Sequence, residues 1–300
     1  MATVAVGRIG GEEIIFTGSK TGIAMTMSEG KKKQQNIQNT LRLATCSELR
    51  RGILASLKEG RKALRELREE LEVSSTTAIH ALRELEKGNL VFQDEHRDYA
   101  LTKIGEIIAL KLSDFVDAVE VLKKHEDFWL THDLSGIPPH LLEKIGWLRD
   151  STVIESSATD VFKVYQEYID MLKDAKEIKG VSFMFFPEYP FIFQELVREK
   201  KIDVQLVIIK EVMDRILEVI DQELLKKVLS DESFKLRLYR LKEGPKAAFT
   251  VTDFFFSFGM FNHDGSYDWN RDLLSYDKKA IAWGRELFEW YRERAEKFYL

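Results

Sequence analysis

The 300-residue sequence has a single cysteine, Cys46. An intrachain disulfide is therefore impossible and cysteine-rich zinc sites are excluded, which fits a reducing, cytoplasmic setting. No apolar run approaches the ~18 residues of a membrane span, so no membrane contact is expected. The N-terminal stretch lacks the uninterrupted apolar core of a signal peptide. Catalytic signatures are also missing: there is no Gly-x-x-x-x-Gly-Lys, no Gly-x-Ser-x-Gly and no His-Glu-x-x-His. The six histidines (His80, His96, His125, His132, His140 and His263) are scattered. Among the histidines that stand next to an acid are those of His132-Asp133 and His263-Asp264. Such pairs arise readily by chance, so no metal, cofactor or catalytic residue is expected. No internal repeat or low-complexity block is visible.

What is present is an ordinary globular composition, 44% hydrophobic and 32% charged, long enough for two domains. The net charge of −5 is unevenly spread. Residues 31–112 hold 16 basic against 12 acidic side chains, net +4; residues 1–30 carry −1 and residues 113–300 carry −8. A basic head on an acidic remainder suits nucleic-acid binding by one part of the chain.

Residues 45–101 carry the clearest pattern. A first helix is expected over 47–58, with Leu49, Ile53, Leu54 and Leu57 on one face, stopped by Glu59-Gly60. A second spans 61–71, with Ala63, Leu64, Leu67 and Leu71 inward. Ser74 or Ser75 can cap a third over 76–87, whose buried face is Ala78, Ile79, Leu82 and Leu85. Gly88-Asn89 ends it, since both tolerate positive φ. Leu90-Val91-Phe92 and Tyr99-Ala100-Leu101 flank the polar tip of a hairpin at 94–98. Three helices and a hairpin in this order make a winged helix-turn-helix. In that fold the third helix enters the major groove by its N-terminal half. The candidate base readers are Ser75, Thr76, Thr77 and His80, with Arg83 further along. His96 and Arg97 at the wing tip are candidates for phosphate or minor-groove contact, and Arg50, Arg51 and Lys62 for further phosphate contacts. The alternative is a plain three-helix bundle whose hydroxyls only cap.

Residues 1–38 read as an extension, a short hairpin turning at Gly10-Gly11 or a disordered polar tail with the basic triplet Lys31-Lys32-Lys33. The head is placed at 39–101 and a linker region at 102–138. From Thr102 a long helix is expected to about Leu130, with Ile108, Leu112, Phe115, Val119 and Leu122 at coiled-coil-like spacing, suited either to homodimerisation or to packing on the chain's own domains. Gly136-Ile137-Pro138-Pro139 breaks it and marks a boundary. Residues 139–300 then alternate as a mixed α/β sheet. Helices are expected at 140–148, 159–175, after Pro187, at 211–229 and at 276–299, and strands at 180–186, 202–209, 234–241, 247–252 and 254–261. Phe254 to Phe258 is apolar on both faces, as in a strand covered on both sides.

The chain resembles the archaeal methanogenesis-regulator family of winged-helix transcription regulators. The resemblance lies in SSTTAIHALRELEKGNLV of the head, in His132-Asp133-Leu134-Ser135-Gly136-Ile137-Pro138, in Asn262-His263-Asp264-Gly265-Ser266-Tyr267-Asp268 and in Ala282-Trp283-Gly284-Arg285-Glu286-Leu287-Phe288. It implies an arsenic-repressor-like head and a regulatory domain similar to the phospholipase-D-like fold. Enzymes of that fold use His-x-Lys-x-x-x-x-Asp. Here the second residue after each histidine is Leu82, Asp98, Asp127, Leu134, Leu142 or Gly265, never lysine. The first forty residues depart from the family pattern.

The sequence reading is thus a cytoplasmic DNA-binding transcription regulator, a non-enzyme and a dimer. Its partners would be double-stranded promoter DNA and a small-molecule effector. Candidate effector contacts lie beyond strand ends: Phe186, Glu188, Tyr189, Lys210, Asp264, Tyr267 and Asp268, with His132 and Asp133 at the boundary. Enzyme and protein-interaction adaptor are the alternatives.

Overall fold

A computed structural model describes residues 4–9, 12–17, 20–155, 163–231 and 233–300. The chain forms two compact units, Met1–Ser113 and Asp114–Leu300, each considered by itself.

The first unit opens on an antiparallel pair, β1 (Val4–Ile9) and β2 (Glu12–Thr17), in the order expected of a hairpin; Gly10-Gly11 lies outside the described residues. The polar stretch after it is helical. It continues as one helix, α1 (Lys20–Thr45), across the expected boundary at 38/39. Its unbranched lysines and glutamines are good helix formers, and no proline interrupts it. Helices α2 (Glu48–Lys58), α3 (Leu64–Glu70) and α4 (Ser75–Lys87) follow. Ser47 caps α2 through the Arg50 N–H, and Ser74 caps α4 through the Thr77 N–H. The second helix is shorter than expected because Lys62 exchanges two backbone hydrogen bonds with Tyr99, which holds residues 61–63 extended. Of Gly88-Asn89, only Asn89 takes positive φ, at 56°. A hairpin then pairs β3 (Val91–Gln93) with β4 (Tyr99–Leu101). Ile53, Leu54, Leu67, Leu82, Leu85 and Leu90 are fully buried together and hold these elements as one core.

The expected helix over 102–130 is broken. α5 (Lys103–Lys124) ends before His125, whose φ of −122° and ψ of 41° leave the helical range, and α6 (Glu126–Thr131) follows. The division between the two units falls inside α5, so residues 131–139 pack within the second unit. There Gly136 and Ile137 are buried, and the Tyr291 hydroxyl donates to the Gly136 carbonyl at 3.0 Å.

The second unit is built on one mixed eight-stranded sheet. After α7 (Pro139–Leu142) come β5 (Ser151–Glu155), α8 (Lys163–Asp174), β6 (Glu177–Ser182), α9 (Tyr189–Arg198), β7 (Asp203–Ile209), α10 (Lys210–Val219), α11 (Gln222–Ser230), β8 (Leu236–Leu241), β9 (Ala247–Thr252), β10 (Phe256–Met260), β11 (Arg271–Ser275), α12 (Lys278–Arg292) and β12 (Glu296–Lys297). The spatial order is β12-β8-β7-β6-β9-β10-β11-β5. β6, β7 and β8 run parallel, joined by helical crossovers, and the other pairings are antiparallel. Five expectations shift. The helix expected at 140–148 is α7 followed by a separate 3-10 turn over Ile145–Leu148. The strand expected at 180–186 sits at β6, and residues 183–186 leave the sheet as a loop. The helix expected at 211–229 is two, because Asp221 breaks out to cap α11 through the Glu223 and Leu224 N–H groups. Phe254 and Phe255 turn back on Thr252 before β10 starts, and the last helix is confined to α12. β5, β11 and β12 were not foreseen. Phe256 and Phe258 point to the α12 side, where they pack on buried Trp283, whose indole N–H donates to the Leu141 carbonyl at 2.9 Å. Any Cβ on Gly284 would run into the Phe256 ring, so this glycine sets how closely α12 approaches the sheet.

Candidate nucleic-acid interface and ligand cavity

In the first unit the cap at Ser74 fixes how α4 begins. Its hydroxyl also bonds the Thr77 hydroxyl at 2.8 Å. Ser75 is half-buried, and Thr76, Thr77, His80 and Arg83 are exposed. At the hairpin tip the Asp94 carboxylate accepts the N–H groups of Asp98 and His96 at 3.0 and 2.9 Å. These bonds, the Asp98 one foremost, hold it below the usual carboxylate range. The turn leaves His96 and Arg97 exposed, with Arg97 at φ 68°.

Three other candidates are committed elsewhere. Arg50 donates to Glu84 at 2.5 Å and to the Leu43 and Arg42 carbonyls. Lys62 sits between Glu70 at 2.7 Å and Glu59 at 3.2 Å, and the Glu70 hydrogen bond raises its pKa. Arg51 is half-buried and spends one nitrogen on the Thr45 carbonyl at 2.6 Å. Arg50 and Lys62 thus organise the unit's own polar contacts.

The second unit contains a cavity of about 700 Å³ between the sheet and helices α8 to α11. Of the residues singled out in the sequence, Phe186, Glu188, Tyr189, Tyr267 and Asp268 line it together. His132 does not line it but touches it through Asp268. It is fully buried, with Nδ1 2.6 Å from the Phe128 carbonyl and Nε2 3.2 Å from Asp268. Asp133, Lys210 and Asp264 lie apart: Asp133 caps the turn at Ser135, Lys210 pairs with Asp214 on the surface, and Asp264 closes a turn with Ser266.

The polar floor was missed in the sequence. Gly180 of β6 pairs with Thr250 of β9, and Thr250 with Ser257 of β10. The Ser257 hydroxyl donates to Asp272 of β11, and Tyr168 and Thr250 share a hydroxyl hydrogen bond of 2.8 Å. Ser257, one hydroxyl within a run of phenylalanines, was the available signal. Asp272 lies deep in the unit while keeping part of its surface open to the cavity. Burial pushes its carboxyl up to about 7, against the Ser257 hydrogen bond and with help from the Asp268 charge. Burial also acts to raise Asp268, but the Asn270 N–H, the Arg271 guanidinium at 2.7 Å and His132 outweigh it and hold this carboxyl low. The Tyr267 phenol, deep beside both carboxyls, is raised well above its ordinary value, chiefly by burial. Gly259 leaves the space its hydroxyl occupies. Among the described residues no group of three or more His, Cys, Asp or Glu side chains is arranged for a metal ion, and no helix is long and apolar enough to cross a membrane.

Two family models match the chain: the N-terminal domain of the Methanogenesis regulatory protein FilR1 over residues 20–120, and its middle domain over residues 161–294. The chain is 29% identical over 267 residues to the Methanogenesis regulatory protein FilR1 of Methanothrix harundinacea (strain 6Ac). That alignment takes in 88% of this chain and 59% of the relative, so the chain spans less than two thirds of that protein's length. Among solved structures it is similar to TrmBL2, an archaeal chromatin protein, with 18% identity, a TM-score of 0.39 and coverage of 83% and 93%. It is also similar to the phospholipase D family member Nuc from Salmonella typhimurium, with 16% identity, a TM-score of 0.34 and coverage of 50% and 98%. These two scores are too low to build on. The matches to the N-terminal and middle domains run through both structural units, and with the sequence relative they place this chain in the methanogenesis regulatory protein FilR1 family.

Proposed function

We propose that the protein is a DNA-binding transcription regulator, acting where the cell keeps its DNA, with a small-molecule-sensing second unit. The observation that carries this is the open N-terminal face of α4, where Thr76, Thr77, His80 and Arg83 stand exposed behind a capped first turn in a chain of a regulatory family. The first unit acts as a winged helix. α4 lies in the major groove with Ser75, Thr76, Thr77 and His80 toward the bases, and His96 and Arg97 at the hairpin tip meet phosphate or the minor groove. Arg51 adds at most one phosphate contact, and Arg50 and Lys62 support the fold of the head. The regulator works as a homodimer through the exposed face of α5. In the second unit an effector occupies the cavity between Phe186, Glu188, Tyr189, Tyr267 and Asp268, and His132 registers its presence through Asp268.

The test is fluorescence anisotropy with the DNA upstream of the protein's own gene and scrambled DNA of equal length, across a salt series. Preference for the upstream DNA that persists near physiological salt supports specific regulation. Absence of binding to either DNA at low salt overturns the reading.

A further inference from the structure

The cavity of the second unit differs in character from one side of the sheet to the other. Toward β7 and β8 its floor is aliphatic, with Leu206, Ile208 and Leu238 roofed by side chains of α10 and α11. Toward β9, β10 and β11 the floor is polar, with Thr250, Ser257 and Asp272. From β8 to β11 are five strand spacings, about 24 Å at ~4.8 Å each. The cavity is therefore long enough for a molecule with a polar head and a hydrocarbon tail.

The charges at the polar end are unbalanced in one direction. Asp268 is ion-paired with Arg271 at 2.7 Å and hydrogen-bonded to the His132 ring. Among the described residues no lysine, arginine or histidine is paired with Asp272, whose hydrogen-bond donor is the neutral Ser257 hydroxyl. Of the other elements facing it, α8 contributes the Tyr168 phenol and the segment before β11 the Tyr267 phenol; its sheet partner on β5 is the apolar Ile154. Glu188 and the exposed Arg198 line the α9 wall. Among the described residues, an anion beside Asp272 would meet that carboxyl and Asp268, whose neighbouring cation Arg271 is already ion-paired. Aromatic rings also gather here. Tyr168 lies 6.3 Å from Tyr189, Tyr189 4.8 Å from Phe186, and Tyr267 5.1 Å from Trp269, centroid to centroid. Ring faces beside a deep carboxylate attract a weakly hydrated cation.

We infer that the cavity takes an amphipathic organic cation, an alkylammonium whose head sits at Asp272 among the tyrosines and whose tail runs toward Leu206 and Leu238. This inference rests on the reading of the cavity as an effector site and specifies its ligand. Binding selects the ionised Asp272. A quaternary ammonium carries a charge that does not titrate, so any pH dependence of its affinity comes from the protein.

The experiment is calorimetric titration of the full chain with octyltrimethylammonium, 1-octanol and octanoate at pH 8, then with the quaternary ammonium from pH 8 down to 5.5. The ammonium is expected to bind at least about tenfold more tightly than the alcohol, and octanoate not to bind. Its affinity should be level above the Asp272 pKa and fall by about tenfold per pH unit below about 7. Asp272→Asn should lose the preference for the ammonium over the alcohol. Equal affinity for ammonium and alcohol, tighter binding of octanoate, or a flat pH profile overturns the cation assignment while leaving the cavity a ligand site. Failure of all three probes overturns the assignment and counts against the effector reading too. The pH series uses the unaltered protein, so the test survives a variant that does not fold.

Discussion

Asp272 shows how one side chain can cost stability in the empty protein. An aspartate in the unfolded chain titrates near 4, whereas in the folded unit its carboxyl is pushed up to about 7 by burial. Between these values the folded state binds more protons than the unfolded state, so stability falls as pH rises. The penalty is absent below about pH 4 and complete above about pH 7. Asp272→Asn keeps an oxygen for the Ser257 hydroxyl and removes the charge. The variant should therefore match the parent near pH 4 and become more stable than it as pH rises to 7, by up to ~4 kcal/mol for a three-unit shift. Urea melts at several pH values measure this, and a pH-independent difference would refute it. At the same scale the head separates two kinds of polar residue. Thr76→Ala or His80→Ala should cost about 1–3 kcal/mol at the cognate DNA site and little on unrelated DNA if either side chain reads a base. Arg97→Ala should weaken binding to all sequences and lower the slope of log affinity against log salt by about 1. An equal loss on both DNAs, or an unchanged slope, would remove the residue from its role.

At the scale of elements, α12 is closely fitted to its neighbours. Gly284 sits where any added carbon meets the fully buried Phe256 ring, and Phe256 in turn packs on Phe258 and Trp283. No flexible side-chain end can yield there. Gly284→Ala should lose about 1–3 kcal/mol of stability through overpacking, seen as an earlier urea midpoint with an unchanged slope. The three helices and hairpin of the head were legible in the sequence, because their leucine spacing and caps act within a few residues. Less was legible where partners far apart in sequence decide. The Lys62–Tyr99 pairing shortens α3 across 37 positions, and nothing local to Lys62 announces it. β11 and β5 are short edge-side strands that pair with each other, so neither carries a long apolar run. The cavity was half legible. Loop residues at strand ends were found by where such loops lead, whereas Thr250, Ser257 and Asp272 become neighbours only through the sheet order.

For the whole molecule, the question is whether one copy acts alone. α5 shows two faces along its length. Ile108 and Leu112 turn toward the core of the first unit, the second of the two uses open to the stripe. Ile104, Ile107, Leu110, Phe115, Val119 and Leu122 are exposed, Phe115 to 63%. Phe115, Val119 and Leu122, on the part of α5 that belongs to the second unit, make an exposed apolar face of the kind that marks an interaction surface. A second copy of α5 would cover it in a self-complementary, two-fold contact. A dimer of this kind suits a palindromic site, whose half-sites lie about one DNA turn apart, ~34–36 Å. Phe115→Glu combined with Val119→Glu places two buried charges against their own images in such a contact and leaves the core of each copy untouched. Sedimentation equilibrium should show the parent as a dimer and the double variant as a monomer at the same concentration. DNA affinity should fall steeply on a palindromic site and little on a half-site. A parent that sediments as a monomer, or a double variant that remains dimeric, would show that α5 is not the seam and would move the dimer contact to another surface.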